Sequence, residues 1–342
     1  MLSPDQLRQY ARIRAGSALI DAAARGRVAV RGSDRQSFLQ ALLTNDVASL
    51  GPGTGCYAAL LTPLGRMVTD LRVFELGEVM LLEVPRAVKD ALMARLDQLI
   101  FSEDVQLLDL SDVLGCVSVQ GPGAMAAVEQ ALAGGPGGGA SGLAAELASW
   151  SAFQNRQIEL GGQAGILARV DEFGLPGVLI FAPPAVLPSV AAAIAAAGAM
   201  VPDDEVVETL RVESGTPLFL VDMTDDTIPL EAGIEARAIS STKGCYPGQE
   251  VIVRIRDRGH GRIVRKLVGL AIDGDVEPTP GEKLLADAKD VGHVTSAAYS
   301  PTLGRPIALG YVHRDHIAAG SRLTVAHGDT ILPATVTELP FV

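Results

Sequence analysis

Hydrophobic and polar positions along this chain follow two periods. Residues 27–32, RVAVRG, alternate with period two and predict a strand. The next stretch, SDRQSFLQALLTND, places Phe38, Leu39, Leu42 and Leu43 on one helical stripe, with Ser33 and Gln36 at capping-box spacing. CYAALLT and RMVTDLRVFEL predict strands either side of the turn TPLG, and VMLLEV is a further short strand. PRAVKDALMARLDQLI predicts a helix with Val88, Leu92, Leu96 and Leu99 on one face. VLGCVSVQ reads as a strand, followed after a Pro-Gly turn by a helix through Met125, Val128 and Leu132.

Hairpins mixed with helices in this way predict layered antiparallel α+β structure rather than a doubly wound parallel sheet. The segment AGGPGGGASG, residues 133–142, reads as a flexible loop. Beyond it come strands near 165–170 and 177–182, an alanine-rich helix, and DDEVVETLRVESG, a helix with aspartate N-caps that ends at Gly215. From about residue 262 short strands recur at regular spacing, the pattern of a small β-barrel or sandwich. We therefore expect an α+β region over residues 1–261 and an all-β domain over 262–342. No internal repeat is detected.

Between these parts lies STKGCYPGQEVIVRIRDRGH, residues 241–260. Pro247 and Gly248 suit the central positions of a type II turn, which presents Cys245 at a chain reversal. Lys243 and the arginines that follow are positioned in sequence to favour a thiolate. VIVRIR alternates, predicting a strand with Val251, Val253 and Ile255 on one face and Arg254, Arg256 and Arg258 on the other. Such a row is either a charged strand edge or an anion site. His260 lies nearby, but no further triad element or oxyanion element accompanies it, which leaves a cysteine-protease reading weak. His260, His293, His313 and His316 lack the ligand pattern of a metal site. Cys56 and Cys116, within apolar strands, read as core.

Composition narrows the function. The 342 residues are 48% hydrophobic and 20% charged, enough for large cores and at least two domains. A net charge of −12 opposes nucleic acid as the main ligand. Three widely spaced cysteines without a CxxC pair argue against a disulfide framework and a zinc site. No membrane-length apolar segment and no signal-peptide core is present, so a cytoplasmic, reduced protein is expected. Nothing in the sequence demands an oligomer, and a monomer is expected.

KGCYPGQE, with the arginines downstream, resembles the hallmark of the YgfZ family of folate-binding proteins, which support iron–sulfur enzymes and tRNA modification. FLQALLTNDV, LLTPLGRMVTDL, VSVQGP, LRVESGTP, IPLEAGI and VTSAAYSPTLGRPIALGYV resemble, in order, the wider superfamily that contains the aminomethyltransferase (T-protein) of glycine cleavage. The resemblance covers nearly the whole chain. It implies a folate-lined cavity between α+β layers, a C-terminal β-barrel, tetrahydrofolate or a one-carbon derivative as cofactor, and iron–sulfur proteins or their assembly factors as partners.

It also implies a site. Glu213 in RVESG matches the superfamily's pterin-binding glutamate, and a glutamate in the last turn of a helix otherwise opposes the macrodipole. Arg254 is a candidate contact to the ligand and, with Lys243, would tune Cys245 electrostatically. Asn45 is a candidate contact as well as a turn residue, and Tyr57 and Met67 are candidates for the cavity wall or for plain core. Cys245 is the expected reactive thiol and Lys243 its electrostatic partner. The aminomethyltransferase segment Asn-Ala-x-x-x-x-Lys-Asp corresponds here to EVPRAVKD, with Glu83 in place of Asn; Asp90, about 200° round the helix from Val88, reads as solvated. Two further classes remain open: a folate-dependent aminomethyl transferase or demethylase acting on an amine, and a non-enzymatic RNA- or protein-binding scaffold.

Overall fold

The computed structural model describes residues 2–133, 141–258 and 262–342. Residues 134–140 of the glycine-rich segment, and His260, lie outside the described residues. Helix α1 (Pro4–Ala15) is closed at its start by a capping box between Ser3 and Gln6. Strands β1 (Ala18–Asp21) and β2 (Arg25–Arg31) follow, then α2 (Arg35–Leu42). The capping box expected at Ser33 and Gln36 does not form. Asp34 is the N-cap, Ser33 hydrogen-bonds Asp104, and the Gln36 amide donates to the carbonyls of Val47, Ala48 and Leu50.

The hairpins read from sequence are present as β3 (Gly55–Leu61), β4 (Met67–Glu75) and β5 (Met80–Pro85), followed by α3 (Lys89–Asp97) and β6 (Gln106–Asp109). These strands form one antiparallel sheet in the order β3-β4-β5-β2-β6. Its outer face buries Val28, Val30, Leu71, Val73 and Leu82 against Phe38 and Leu39 of α2 and Leu92 and Leu96 of α3. Full burial of each such side chain contributes roughly 1.5–3 kcal/mol.

The second sheet is built the same way. β7 (Gly115–Gln120) leads to α4 (Ala124–Ala133) and α5 (Leu143–Ser149). The meander β8 (Asn155–Leu160), β9 (Gln163–Arg169) and β10 (Gly177–Ala182) follows, and then α6 (Leu187–Ala196). The strand order is β1-β7-β10-β9-β8. Each sheet thus has a three-strand meander, then the strand preceding it in the chain, then an edge strand. The repeat is one of topology. Inner faces of the two sheets meet through Phe74, Leu81, Cys116, Ile166, Leu179 and Phe181, with Phe74 and Phe181 edge-to-face at 5.8 Å. The layers run helix, sheet, sheet, helix.

Helix α7 (Asp204–Glu213) then packs Val212 against the outer face of a closed six-stranded barrel. The barrel comprises β11 (Arg265–Ile272), β12 (Lys283–Ala286), β13 (Lys289–Ser300), β14 (Arg305–His313), β15 (Arg322–His327) and β16 (Thr330–Thr337). Arg211, wholly buried, ties this junction together: it pairs with Asp222 at 2.7 Å and donates to Ser296 Oγ at 2.6 Å.

Residues 214–264 cross the inner face of the first sheet. They include two short helices, α8 (Glu235–Ala238) and α9 (Gln249–Val253). The strand expected over VIVRIR is not formed. Gly248, left-handed at φ +82°, ends the turn and starts α9, and a π-helical turn runs over 254–258. The burial explains the correction. Ile252 is buried and Ile255 packs against the same cluster, three residues apart as on a helix face, while Val251 and Val253 are only partly covered.

Candidate functional site

Alternation along β4 sends Leu71 and Val73 to the helix layer and Asp70, Arg72 and Phe74 inward. Register then sets four polar residues in a row across the inner face: Tyr57 on β3 opposite Arg72 on β4, Arg72 opposite Glu83 on β5, and Glu83 opposite Arg27 on β2. All but Arg72, which keeps a little exposure, are buried. Asp70 lies one step along β4, a diagonal neighbour of both Tyr57 and Glu83 on the same face.

The row is wired in one direction and open in another. The Tyr57 hydroxyl donates to Asp70 Oδ2 at 3.0 Å. Burial, with the Asp70 charge beside it, raises the Tyr57 pKa, so this group stays a donor. The Arg237 guanidinium lies over the Tyr57 ring at 4.6 Å. Arg72 donates to Glu83 Oε2 at 2.8 Å and, across to the second sheet, to Glu172. Glu172 is held there by Ser118 Oγ at 2.7 Å, and its backbone N–H donates to the Gln120 amide oxygen at 3.0 Å. Burial works against the Arg72 charge, but Glu83 and Glu172 outweigh it and raise its pKa.

Two carboxylate oxygens are left over. Asp70 Oδ1 and Glu83 Oε1 are buried and accept no hydrogen bond within the protein. A buried carboxylate oxygen without a donor costs free energy, and such orphans cluster where a ligand or bound water completes the site. The arrangement can accept N–H or O–H donors at two points, stack a flat ring near Tyr57 and Arg237, and hold a proton at Asp70.

The residues singled out from sequence fall in several places in the fold. Tyr57 and Met67 are buried in one cluster with Phe219, Met223 and Leu230, and Tyr57 also belongs to the polar row. The Asn45 amide donates to the carbonyls of Tyr57 at 2.8 Å and Arg237 at 3.0 Å, so it fixes the backbone behind the row. Glu213, expected to hold a pterin, is 1% exposed with both oxygens engaged: one by the Tyr10 hydroxyl at 2.6 Å, the other by Ser300 Oγ. Arg14 stands 3.4 Å away. Glu213 therefore joins α1 and α7 to the barrel, which accounts for a carboxylate at a helix C-terminus. Asp90 is solvated, as read from the pattern, and pairs with Lys89.

The thiol turn is as expected and its electrostatics are not. Gln249 N–H donates to the Tyr246 carbonyl at 3.2 Å across Pro247 and Gly248, a type II turn. Cys245 is exposed; Cys56 and Cys116 are buried. Lys243 does not serve Cys245. Its ammonium caps the C-terminal end of α2, donating to the carbonyls of Gln40 at 2.6 Å, Leu43, and Asn45 at 3.2 Å. Burial lowers its pKa to about 8. The thiol it faces is Cys56, whose own pKa burial pushes up to about 12. Arg254 is exposed on the helical turn after α9 rather than on a strand.

A two-sheet α+β core carrying a buried polar row, joined to a β-barrel, defines a two-part α+β architecture. The GCVT N-terminal domain matches residues 3–243, and the glycine cleavage T-protein C-terminal barrel domain matches 265–342. The chain belongs to the glycine cleavage T-protein family. It is 30% identical to the aminomethyltransferase of Rubrobacter xylanophilus over 97% of this chain and 85% of that protein. It is also 30% identical to that of Nostoc sp. over 98% and 87%. The aminomethyltransferase T structure from Bartonella henselae superposes with a TM-score of 0.85 at 24% identity, covering 98% of this chain and 89% of that one, which establishes the fold.

The superfamily part of the resemblance thus stands, while the narrower YgfZ likeness rests on KGCYPGQE and its surroundings. Proteins of this family use tetrahydrofolate. The residues present fit such a group: the orphaned oxygens of Asp70 and Glu83 are complementary to the adjacent N–H donors of a pterin. Among the described residues no helix is long and apolar enough to cross a membrane.

Proposed function

We propose that this protein binds tetrahydrofolate against the inner face of its first sheet and works as an aminomethyltransferase-type enzyme, passing a one-carbon unit from an amine donor to the folate. The observation that carries this reading is the pair of buried, unpartnered carboxylate oxygens on Asp70 and Glu83. Asp70 and Glu83 hold the pterin through its N–H groups, and Tyr57 and Arg237 form the wall on which a flat ring rests. Asn45 and Met67 support that wall from behind. Tetrahydrofolate supplies a nucleophilic nitrogen that accepts the one-carbon unit. Asp70 holds or moves a proton at its free Oδ1, while the Tyr57 hydroxyl fixes Oδ2.

Calorimetric titration with tetrahydrofolate, beside 4-aminobenzoylglutamate as a ligand that lacks the pterin, tests this. Binding of the first at least about tenfold tighter than the second supports pterin recognition. Equal binding, or none, removes it.

A second reading has one observation in its favour, the exposed Cys245 on a rigid turn. In it the protein is YgfZ-type, supports iron–sulfur cluster assembly or repair and tRNA modification, and uses the Cys245 thiol towards iron–sulfur proteins or assembly factors, with Arg254 nearby. Replacing Cys245 with alanine then abolishes function in cells while the purified protein stays folded. A fully active variant sinks this reading.

A further inference from the structure

A separate cavity of about 490 Å³ opens between α8, α9 and the start of the barrel. Tyr57, Asp70, Arg72 and Glu83 do not line it. Its walls include the apolar Ile239, Ile252, Ile263 and Ile317 and the oppositely charged Glu235 and Lys266. Arg256 also lines it and has a partner of its own.

The two charges are the informative feature. Glu235 Oε2 is buried and accepts no hydrogen bond. Among the described residues the Lys266 ammonium forms no ion pair, although a carboxylate lines the same cavity. The buried Glu235 oxygen needs a donor from outside, while the exposed Lys266, not spent on Glu235, remains available to an anionic group. The volume falls in the range of small-molecule sites, and the isoleucine walls favour an apolar body.

We infer that this cavity is a second ligand site, for a small zwitterion whose ammonium group meets Glu235, whose carboxylate meets Lys266, and whose apolar frame packs on the isoleucines. A free amino acid with a branched apolar side chain fits this chemistry, and so does a short ω-amino acid with its charges further apart.

The test is calorimetric titration of the full-length protein with leucine and with 6-aminohexanoate. 4-Methylpentanoate and 3-methylbutylamine for leucine, and hexanoate and hexylamine for 6-aminohexanoate, serve as probes that each lack one charge. At least one zwitterion binds saturably, and about tenfold or more tighter than the single-charge probe that shares its frame. Glu235→Gln and Lys266→Gln each weaken that binding about tenfold or more. Lys266 is exposed, so its variant folds whatever happens at Glu235. The titration with tetrahydrofolate is unchanged in both variants, which separates this site from the folate site. Absence of saturable binding, single-charge probes that bind as well as the zwitterions, or binding indifferent to both substitutions overturns the inference. So does loss of tetrahydrofolate binding in the Lys266 variant, which would assign the cavity to the folate site.

Discussion

The Tyr57 hydroxyl holds Asp70 by one carboxylate oxygen, 3.0 Å away, and leaves the other buried without a donor. This pairing orients the carboxylate while keeping one oxygen for a ligand. Tyr57→Phe removes the donor and strands both oxygens. Chemical unfolding will show a loss of about 1–3 kcal/mol. A change within a few tenths would mean that water already serves Asp70 Oδ2.

Arg72 is the charge that joins the two sheets. Arg72→Ala leaves Glu83 and Glu172 buried without it and is expected to cost about 3–5 kcal/mol. The acid dependence has a definite sign. Burial alone would raise the Glu172 pKa, but the Arg72 charge and the Ser118 hydrogen bond outweigh it and bring the folded value below the ordinary 4.5. Glu172 thus contributes stability that is present above pH 4.5 and is lost as pH falls through the folded value. In Arg72→Ala that contribution is gone, so the gap between the wild type and the variant narrows below pH 4.5. A gap independent of pH would contradict the coupling.

Lys243 gives the same sign in a higher pH window, through burial of a cation rather than pairing of an anion. Its folded pKa of about 8 lies below the ordinary 10.5, so between these values the unfolded chain binds more protons and stability rises with pH. Melting temperatures of the wild type relative to Lys243→Met will therefore climb from pH 8 to 10.5. A flat difference would mean that the ammonium is not desolvated at the end of α2.

Of the three thiols, only Cys245 is exposed. Iodoacetamide at neutral pH is expected to label one cysteine in the native protein and three after unfolding, and peptide mapping will place the native label on Cys245. Rapid native labelling of Cys56 or Cys116 would contradict their burial.

What the sequence made legible follows from local physics. The hairpins β3–β5, the helix Asp204–Glu213 and the Pro247–Gly248 turn are written in period, caps and turn residues, and all appear. The strand over 251–256 failed because Ile252 and Ile255 fit a helical face as well as the valines fit a strand, and tertiary packing chose the helix. Lys243 sits two residues before Cys245, yet its side chain reaches back some two hundred residues to cap α2. Sequence proximity said nothing of that direction.

Most of the polar row was missed for a related reason. Asp70, Arg72 and Glu83 at alternate strand positions look like an ordinary solvated face, and only the parts of the chain that the fold brings over them bury Asp70 and Glu83 and leave Arg72 little exposed. One signal was available: Asp70 and Arg72 lie in β4 on the same face as Phe74, and a strand with an aromatic among its charges on one face invites a search for what covers it.

The most direct test is tetrahydrofolate titration of Asp70→Asn, with Glu213→Gln beside it and melting temperatures recorded for both. The account predicts that Asp70→Asn folds and binds about tenfold or more weakly, because its free oxygen is the acceptor or the proton holder for the pterin, whereas Glu213→Gln loses stability and keeps its affinity. Undiminished binding in Asp70→Asn together with lost binding in a folded Glu213→Gln would move the folate to the α7–barrel junction and contradict the site described above.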